Sequence, residues 1–286
     1  MNLPIDLIPL SSSGAVPFML PRVDGPVAAK PRAQAIQPES QFVWGLPFVK
    51  VTTRESIDWI ESLVDQAVPS YVITANLNWV MLSHQQVELS TINANAAGIV
   101  ADGMPIIWQS RRVHGVDALP ERVAGSEMIY LLAERAAARG WSIYFTGGAE
   151  GVAETAAKRL AAMYPGLRIA GYDCPPFRKL TQSEEAEHLD RIRRSEPQLL
   201  FVAFGQPKGE TWIHRHYNEL GVPVSIQLGA SFDFVAGTAK RAPLFWQRLG
   251  LEWAYRTASD PRRLLPRYWA NAKFLLRAHA KYRHPL

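Results

Sequence analysis

A single cysteine, Cys174, stands among 286 residues. It excludes an internal disulfide and any multi-cysteine metal cluster, and it fits a reducing compartment. No apolar run approaches the roughly 18 to 20 residues needed to cross a bilayer, so any membrane contact is expected to be peripheral. The chain has no D-x-D acid pair, no H-E-x-x-H and no Cys/His cluster, the usual footings of a catalytic metal, and no cofactor is expected. His214 and His216 lie two apart on a predicted helix and so face different sides, which does not suit a metal. The start of the chain has little periodic apolar pattern, and residues 1–41 hold seven of the 21 prolines. That segment reads as a flexible, disordered tail. It makes a poor secretory signal, because Asp6 stands where a basic start is expected and proline and serine break its apolar stretches.

The net charge is +5, but its placement matters more. Residues 240–286 carry eleven Lys/Arg against two acids, Glu252 and Asp260, which is +9; the remaining 20 basic and 24 acidic residues give the body −4. Aromatic residues interleave with that charge at Trp246, Trp253, Tyr255, Tyr268, Trp269 and Phe274. A basic, aromatic-rich helical appendage over 240–286 is expected, packed on the body or on a surface.

Between tail and appendage, 42–239 alternates short apolar runs with amphipathic stretches, as a parallel sheet with helices on both faces does. The predicted strands cover 71–75, 98–101, 141–146, 167–171, 198–204 and 223–228. Thr52-Thr-Arg-Glu55 and Thr181-Gln-Ser-Glu184 each place a hydroxyl three residues before a glutamate, predicting capped helix starts. The fold class is therefore α/β, with a Rossmann-like sheet whose carboxyl edge carries the polar strand ends where open α/β folds bind ligands.

Four groups at that edge could carry chemistry. Thr74-Ala-Asn76 and Ala101-Asp102-Gly103 end two predicted strands, and together offer a hydroxyl, an amide and a carboxylate; helix capping by Asn76 and Asp102 is the alternative. Gly147 and Gly148 form a turn before a helix, where a phosphate could approach unpaired N–H groups or where the turn is simply tight. Asp173 at the next strand end keeps a nicotinamide enzyme open. Gly205, Pro207, Lys208 and Glu210, with Asp233 in the loop beyond 228, could close around a base, ribose or diphosphate; plain turns and caps would explain them equally. Finally, Arg241, Arg256, Arg263 and Arg267 could stabilise a departing diphosphate as a divalent ion would, although most basic residues of a terminal helix form a solvated or lipid-facing surface.

Read together, these segments resemble the WecG/TagA/CpsF family of bacterial glycosyltransferases. The resemblance runs from about Val43 to Tyr268 and is carried best by Phe232-Asp-Phe-Val-Ala-Gly237, Lys240-Arg-Ala-Pro243, Gly250-Leu-Glu-Trp-Ala-Tyr-Arg256 and Pro261-Arg-Arg263. It implies that Asp102 is a base, that Thr74 and Asn76 line the acceptor pocket, and that the appendage delivers Arg256, Arg263 and Arg267 while seating the protein on the inner face of the cell membrane. The implied donor is a UDP-sugar, the acceptor a polyprenyl-diphosphate-linked sugar and the surface anionic lipid. The chain departs from the family pattern twice: Gly209 stands where Pro-x-Gln-Glu has its glutamine, and Pro266 precedes a lone Arg267 where paired arginines are usual. An assembly factor that kept the fold without the chemistry, and a nucleic-acid-binding protein using the basic tail, are the rivals; nucleic acid is not the expected partner. An exposed apolar stripe near the tail could meet lipid, the body or a second copy of the chain.

Overall fold

The computed structural model describes residues 37–240, 242–243, 245–246, 252–259 and 261–281. The tail expected over 1–41 lies outside these residues up to position 36.

The first elements are the strands β1 (Ser40–Val43) and β2 (Leu46–Val49), paired antiparallel. Trp44 and Gly45, both at positive φ, make the tight turn between them, the geometry that matches the twist of a two-residue hairpin. This hairpin was not among the predicted strands. It adds an antiparallel edge to a sheet expected to be parallel throughout.

From there strands and helices alternate. They run α1 (Thr53–Gln66), β3 (Ser70–Ala75), α2 (Leu77–Gln85), α3 (Glu88–Asn95), β4 (Gly98–Ala101), α4 (Met104–His114) and α5 (Gly125–Arg139). The second half comprises β5 (Ser142–Gly147), α6 (Val152–Met163), β6 (Arg168–Asp173), α7 (Gln182–Arg194), β7 (Leu199–Ala203), α8 (Lys208–Leu220), β8 (Val224–Gln227) and α9 (Ser231–Ala236). Two helices follow, α10 (Glu252–Ser259) and α11 (Pro261–Lys281). Both expected capping boxes are present: Thr52 with Glu55 starts α1, and Thr181 with Glu184 starts α7.

The eight strands form one sheet in the order β1-β2-β4-β3-β8-β7-β5-β6. All pairings beyond the β1–β2 hairpin are parallel. Alternate strand residues feed two apolar layers, as the period of two along a strand requires. Val72, Val100, Phe145, Phe201 and Ile226 face α1, α5, α6 and α9. Tyr71, Ile73, Ile99, Tyr144, Leu200 and Val202 face α2, α3, α4, α7 and α8, and the final turns of α11 join that second layer through Phe274, Leu275 and Ala278. Because β8, the last strand among the described residues, inserts between β3 and β7, the carboxyl ends of β4, β3, β8, β7 and β5 lie side by side. Among the described residues no helix is long and apolar enough to cross a membrane.

Candidate active site

The strand tips place the expected residues together. At the end of β3, Asn76 caps α2, its Oδ1 accepting from the amides of Asn78 at 3.0 Å and Trp79 at 3.2 Å. Asp102 follows β4, and its amide donates to the Ala75 carbonyl at 2.8 Å, which ties the two tips in register. The capping atom has a third partner, because Arg267 of α11 reaches the same Oδ1, with its Nη2 at 3.5 Å. Thr74 is buried and its hydroxyl donates to the Gln227 carbonyl at 2.8 Å, so it braces β3 against β8 beneath the site.

Gly125, the first residue of α5, faces this group. A Cβ placed there would lie 3.7 Å from Asp102 Oδ2 and from Thr74 Cγ2, and 3.5 Å from Leu228. A Cβ there would sit in ordinary van der Waals contact with the Asp102 carboxylate, so the start of α5 packs directly on it. Just before it, Val123 donates to Ala101 at 2.9 Å and fixes this loop to the tip of β4, while the neighbouring Arg122 pairs with Glu127 at 3.2 Å. Gly125 and Arg122 were missed by sequence reasoning. The signal was the short Pro120-Glu-Arg-Val-Ala-Gly125 segment between two helices, which carries a cation and a glycine to a strand end.

On the other side, Gly147 and Gly148 adopt φ +100° and +81°, a backbone that only glycine takes without strain. Gly148 donates to Ala203 at 3.0 Å, fastening this turn to β7. In the turn after β7, Gly205 and Lys208 are exposed and Pro207 half-buried. Asp233 sits in the first turn of α9 with its carboxylate accepting from the Thr238 hydroxyl at 3.1 Å, so it holds the Gly237 turn. Arg241 lies outside the described residues. Arg256 and Arg263 fall on α10 and α11, and their side chains lie outside the described residues.

Gly209 has a local explanation. It packs face to face with Gln227, and any Cβ there would overlap the Gln227 carboxamide. With its amide oriented to satisfy both neighbours, that carboxamide donates to Val202 O at 2.7 Å and accepts from Gly205 N at 2.8 Å. A glutamine from β8 therefore fills the space that a side chain at position 209 would need, and the missing side chain is matched by one already in place.

Two acids, one half-buried and one buried, behave differently. Burial pushes Asp173 up, but hydrogen bonds from His188, Thr146 and Tyr144 outweigh it and hold the carboxyl below the usual range. The Tyr144 hydroxyl lies at 3.1 Å, His188 Nε2 at 3.3 Å and Arg191 Nη2 at 3.5 Å, with Thr146 also bonded. Asp173 is thus engaged by its own protein, which removes the support it lent to a nicotinamide enzyme. Glu210, by contrast, is 1% exposed. Its burial pushes the carboxyl up to about 8, against weaker opposing pulls from its own backbone, Gln206 and the Arg267 guanidinium. Among the described residues no group of three or more His, Cys, Asp or Glu could hold a metal ion.

Comparison with known proteins identifies the family. An N-acetylglucosaminyldiphosphoundecaprenol N-acetyl-beta-D-mannosaminyltransferase of Bacillus spizizenii is 30% identical over 219 residues, spanning 76% of this chain and 82% of the relative. Proteins of the same description from Bacillus subtilis and Staphylococcus aureus are 28% and 29% identical, covering 79% and 78% of this chain and 86% and 85% of theirs. The model of the glycosyl transferase WecG/TagA/CpsF family matches residues 41–285, and this chain belongs to that family of glycosyltransferases.

Proposed function

We propose that the protein transfers a sugar from a UDP-sugar to a lipid-diphosphate-linked sugar acceptor, with inversion and without a metal, at the inner face of the membrane. The observation that carries this reading is the reach of α11 to the strand tips, where Arg267 meets Asn76 one strand away from Asp102. A guanidinium at the tip of β3 and a carboxylate at the tip of the adjacent β4 provide the two charges that such a displacement needs.

In this reading Asp102 takes the proton of the acceptor hydroxyl as its oxygen bonds to the anomeric carbon. The bond from that carbon to the diphosphate breaks, and its electron pair leaves on UDP. Arg256, Arg263 and Arg267 stabilise the charge that develops there, and Arg241 is assigned to donor binding. The glycine turn at Gly147 and Gly148, the segment Gly205, Pro207, Lys208, and the Asp233 loop cradle the nucleotide. Asn76 orients the acceptor, with Thr74 bracing the floor. The relatives' acceptor, a diphosphoundecaprenol carrying N-acetylglucosamine, is the model for the acceptor class.

The outer face of α11 suits a lipid surface. Leu265, Trp269 and Leu276 are 58%, 63% and 77% exposed, and Lys273 lies 5.4 Å from the Trp269 ring. With Arg262 and Arg277 also exposed, this face presents apolar side chains between cations, each basic residue adding about 1 kcal/mol near anionic lipid. The test is a panel of UDP-sugars offered with short lipid-diphosphate-sugar acceptors and read by product mass. Transfer from one donor supports the reading; no product from any pair, by a folded protein, refutes it. A truncation ending near Ala239 tests the coupling of appendage to chemistry, and full activity without the appendage rejects it.

A further inference from the structure

The helix α4 buries one side and leaves the other open. Its inner residues Ile106 and Ile107 are fully buried in the second apolar layer, the layer that also takes Phe274, Leu275 and Ala278 of α11. Along the opposite side the half-buried Met104, then Trp108, then Arg111 with Arg112 succeed one another by about one turn, the spacing of a single helix face. Trp108 is 48% exposed, and Arg111 is exposed beyond it. Residues 103–116 contain Arg111 and Arg112 and no acid, so this face is cationic on a body whose net charge is −4. A lone exposed apolar residue is ordinary on any surface. A tryptophan one turn from arginine, with no acid on the helix, is the composition of a helix face that lies in a lipid interface.

The fold gives that face a direction. Because α4 and α11 cover the same side of the sheet, Trp108 and Arg111 on one and Leu265, Trp269 and Leu276 on the other are all turned away from the sheet on that side. α4 starts two residues beyond Asp102, with Gly103 against Asn76, and α11 meets Asn76 through Arg267. Each face therefore leads away from the same pair of strand tips, those of β3 and β4. A protein held to a surface by one helix can roll about the axis of that helix. A second contact on the same side stops the roll.

We propose that the outer face of α4 is a second contact with anionic lipid, and that together with α11 it fixes the tilt at which the tips of β3 and β4 meet the membrane. The inference rests on the placement of α11 at a lipid surface proposed above, and on no particular donor or acceptor sugar.

The test is sedimentation of the full chain with phosphatidylglycerol vesicles, and with phosphatidylcholine vesicles for comparison. Trp108→Ser with Arg111→Gln is expected to lower partition onto phosphatidylglycerol by about tenfold or more. Arg111→Gln alone, which carries the test if the double change fails to fold, is expected to lower it by about fivefold, the worth of one basic residue near anionic lipid, and to leave phosphatidylcholine unaffected. Two faces that touched the membrane in turn rather than together would each cover for the other, and neither set of changes alone would then lower binding by more than about twofold. Losses from the α4 changes and from Trp269→Ser with Leu276→Ser, each well above twofold, support the inference. A loss from the α11 changes alone overturns it and keeps the membrane placement of α11. A loss from the α4 changes alone refutes that placement, and with it the fixed tilt. Unchanged partition of both variants overturns both. Light scattering without lipid separates the other occupant: a wild-type dimer that the α4 changes convert to a monomer assigns the face to a second copy and overturns the inference.

Discussion

At the scale of single residues, charge and crowding make separable predictions. Asp102→Asn removes the proposed base without changing shape, so turnover is expected to fall by about 10²- to 10⁴-fold while the thermal midpoint stays within a few degrees. A midpoint that collapses with the activity would make Asp102 a structural cap. Glu210 predicts a stability effect with a definite sign. Its folded value of about 8 lies above the ordinary 4.5, so between those values the folded chain holds a proton that the unfolded chain has lost. Stability should therefore fall as pH rises from about 5 to 8 and level off above, and Glu210→Gln should abolish that slope, worth a few kcal/mol at most. Denaturant titrations of both proteins at pH 5, 7 and 9 measure it. Gly209→Gln on its own should cost about 1 to 3 kcal/mol by overlap with the Gln227 carboxamide, and adding Gln227→Ala should recover part of that loss. A purely additive double mutant would mean that the two positions do not share the space.

At the scale of elements, the interior strands and the capped helices were readable because each is announced by contiguous residues. The run Leu199–Ala203 is apolar throughout and buried on both faces, and Thr181 and Glu184 carry their capping box within four positions. The β1–β2 hairpin was not readable: each strand has four residues, Pro47 sits in the second, and its pairing with β4 rests on one register pair. Side-chain meetings across the chain were hidden for a different reason. Arg267 and Asn76 are 191 residues apart, and Gln227 gave no sign that its carboxamide would fill the space before Gly209. No local pattern encodes such contacts; they follow from the order of strands. The helix α11 carries a prediction of its own. Leu264 is 5% exposed and Trp269 63%, so the two faces should separate in experiment. Leu264→Ala should speed hydrogen exchange across Pro261–Lys281 with little change in the global midpoint, whereas Trp269→Ser with Leu276→Ser should leave exchange intact and weaken uptake by anionic vesicles. Equal effects of both changes on vesicle uptake would remove the division of labour between the faces.

At the scale of the whole molecule, charge separates a body of −4 from a tail of +9, and the proposed reading gives the tail the membrane. Steeply salt-dependent vesicle binding, roughly abolished by a few hundred millimolar salt, is expected if the tail is the anchor, since exposed charges are screened within about 8 Å at physiological ionic strength. Salt-insensitive uptake would assign the anchor to the apolar face alone.

The place of β8 between β3 and β7 also sets an order of events during synthesis. A ribosome that has made everything up to α8 holds two half-sheets with a vacant slot between them, which only β8 can close. The turns after β5 and β7 and the tips of β3 and β4 then meet across that newcomer, and α11 follows it. The nascent chain thus carries no assembled sheet edge until β8 has taken its slot, so sugar transfer cannot begin before that strand is made.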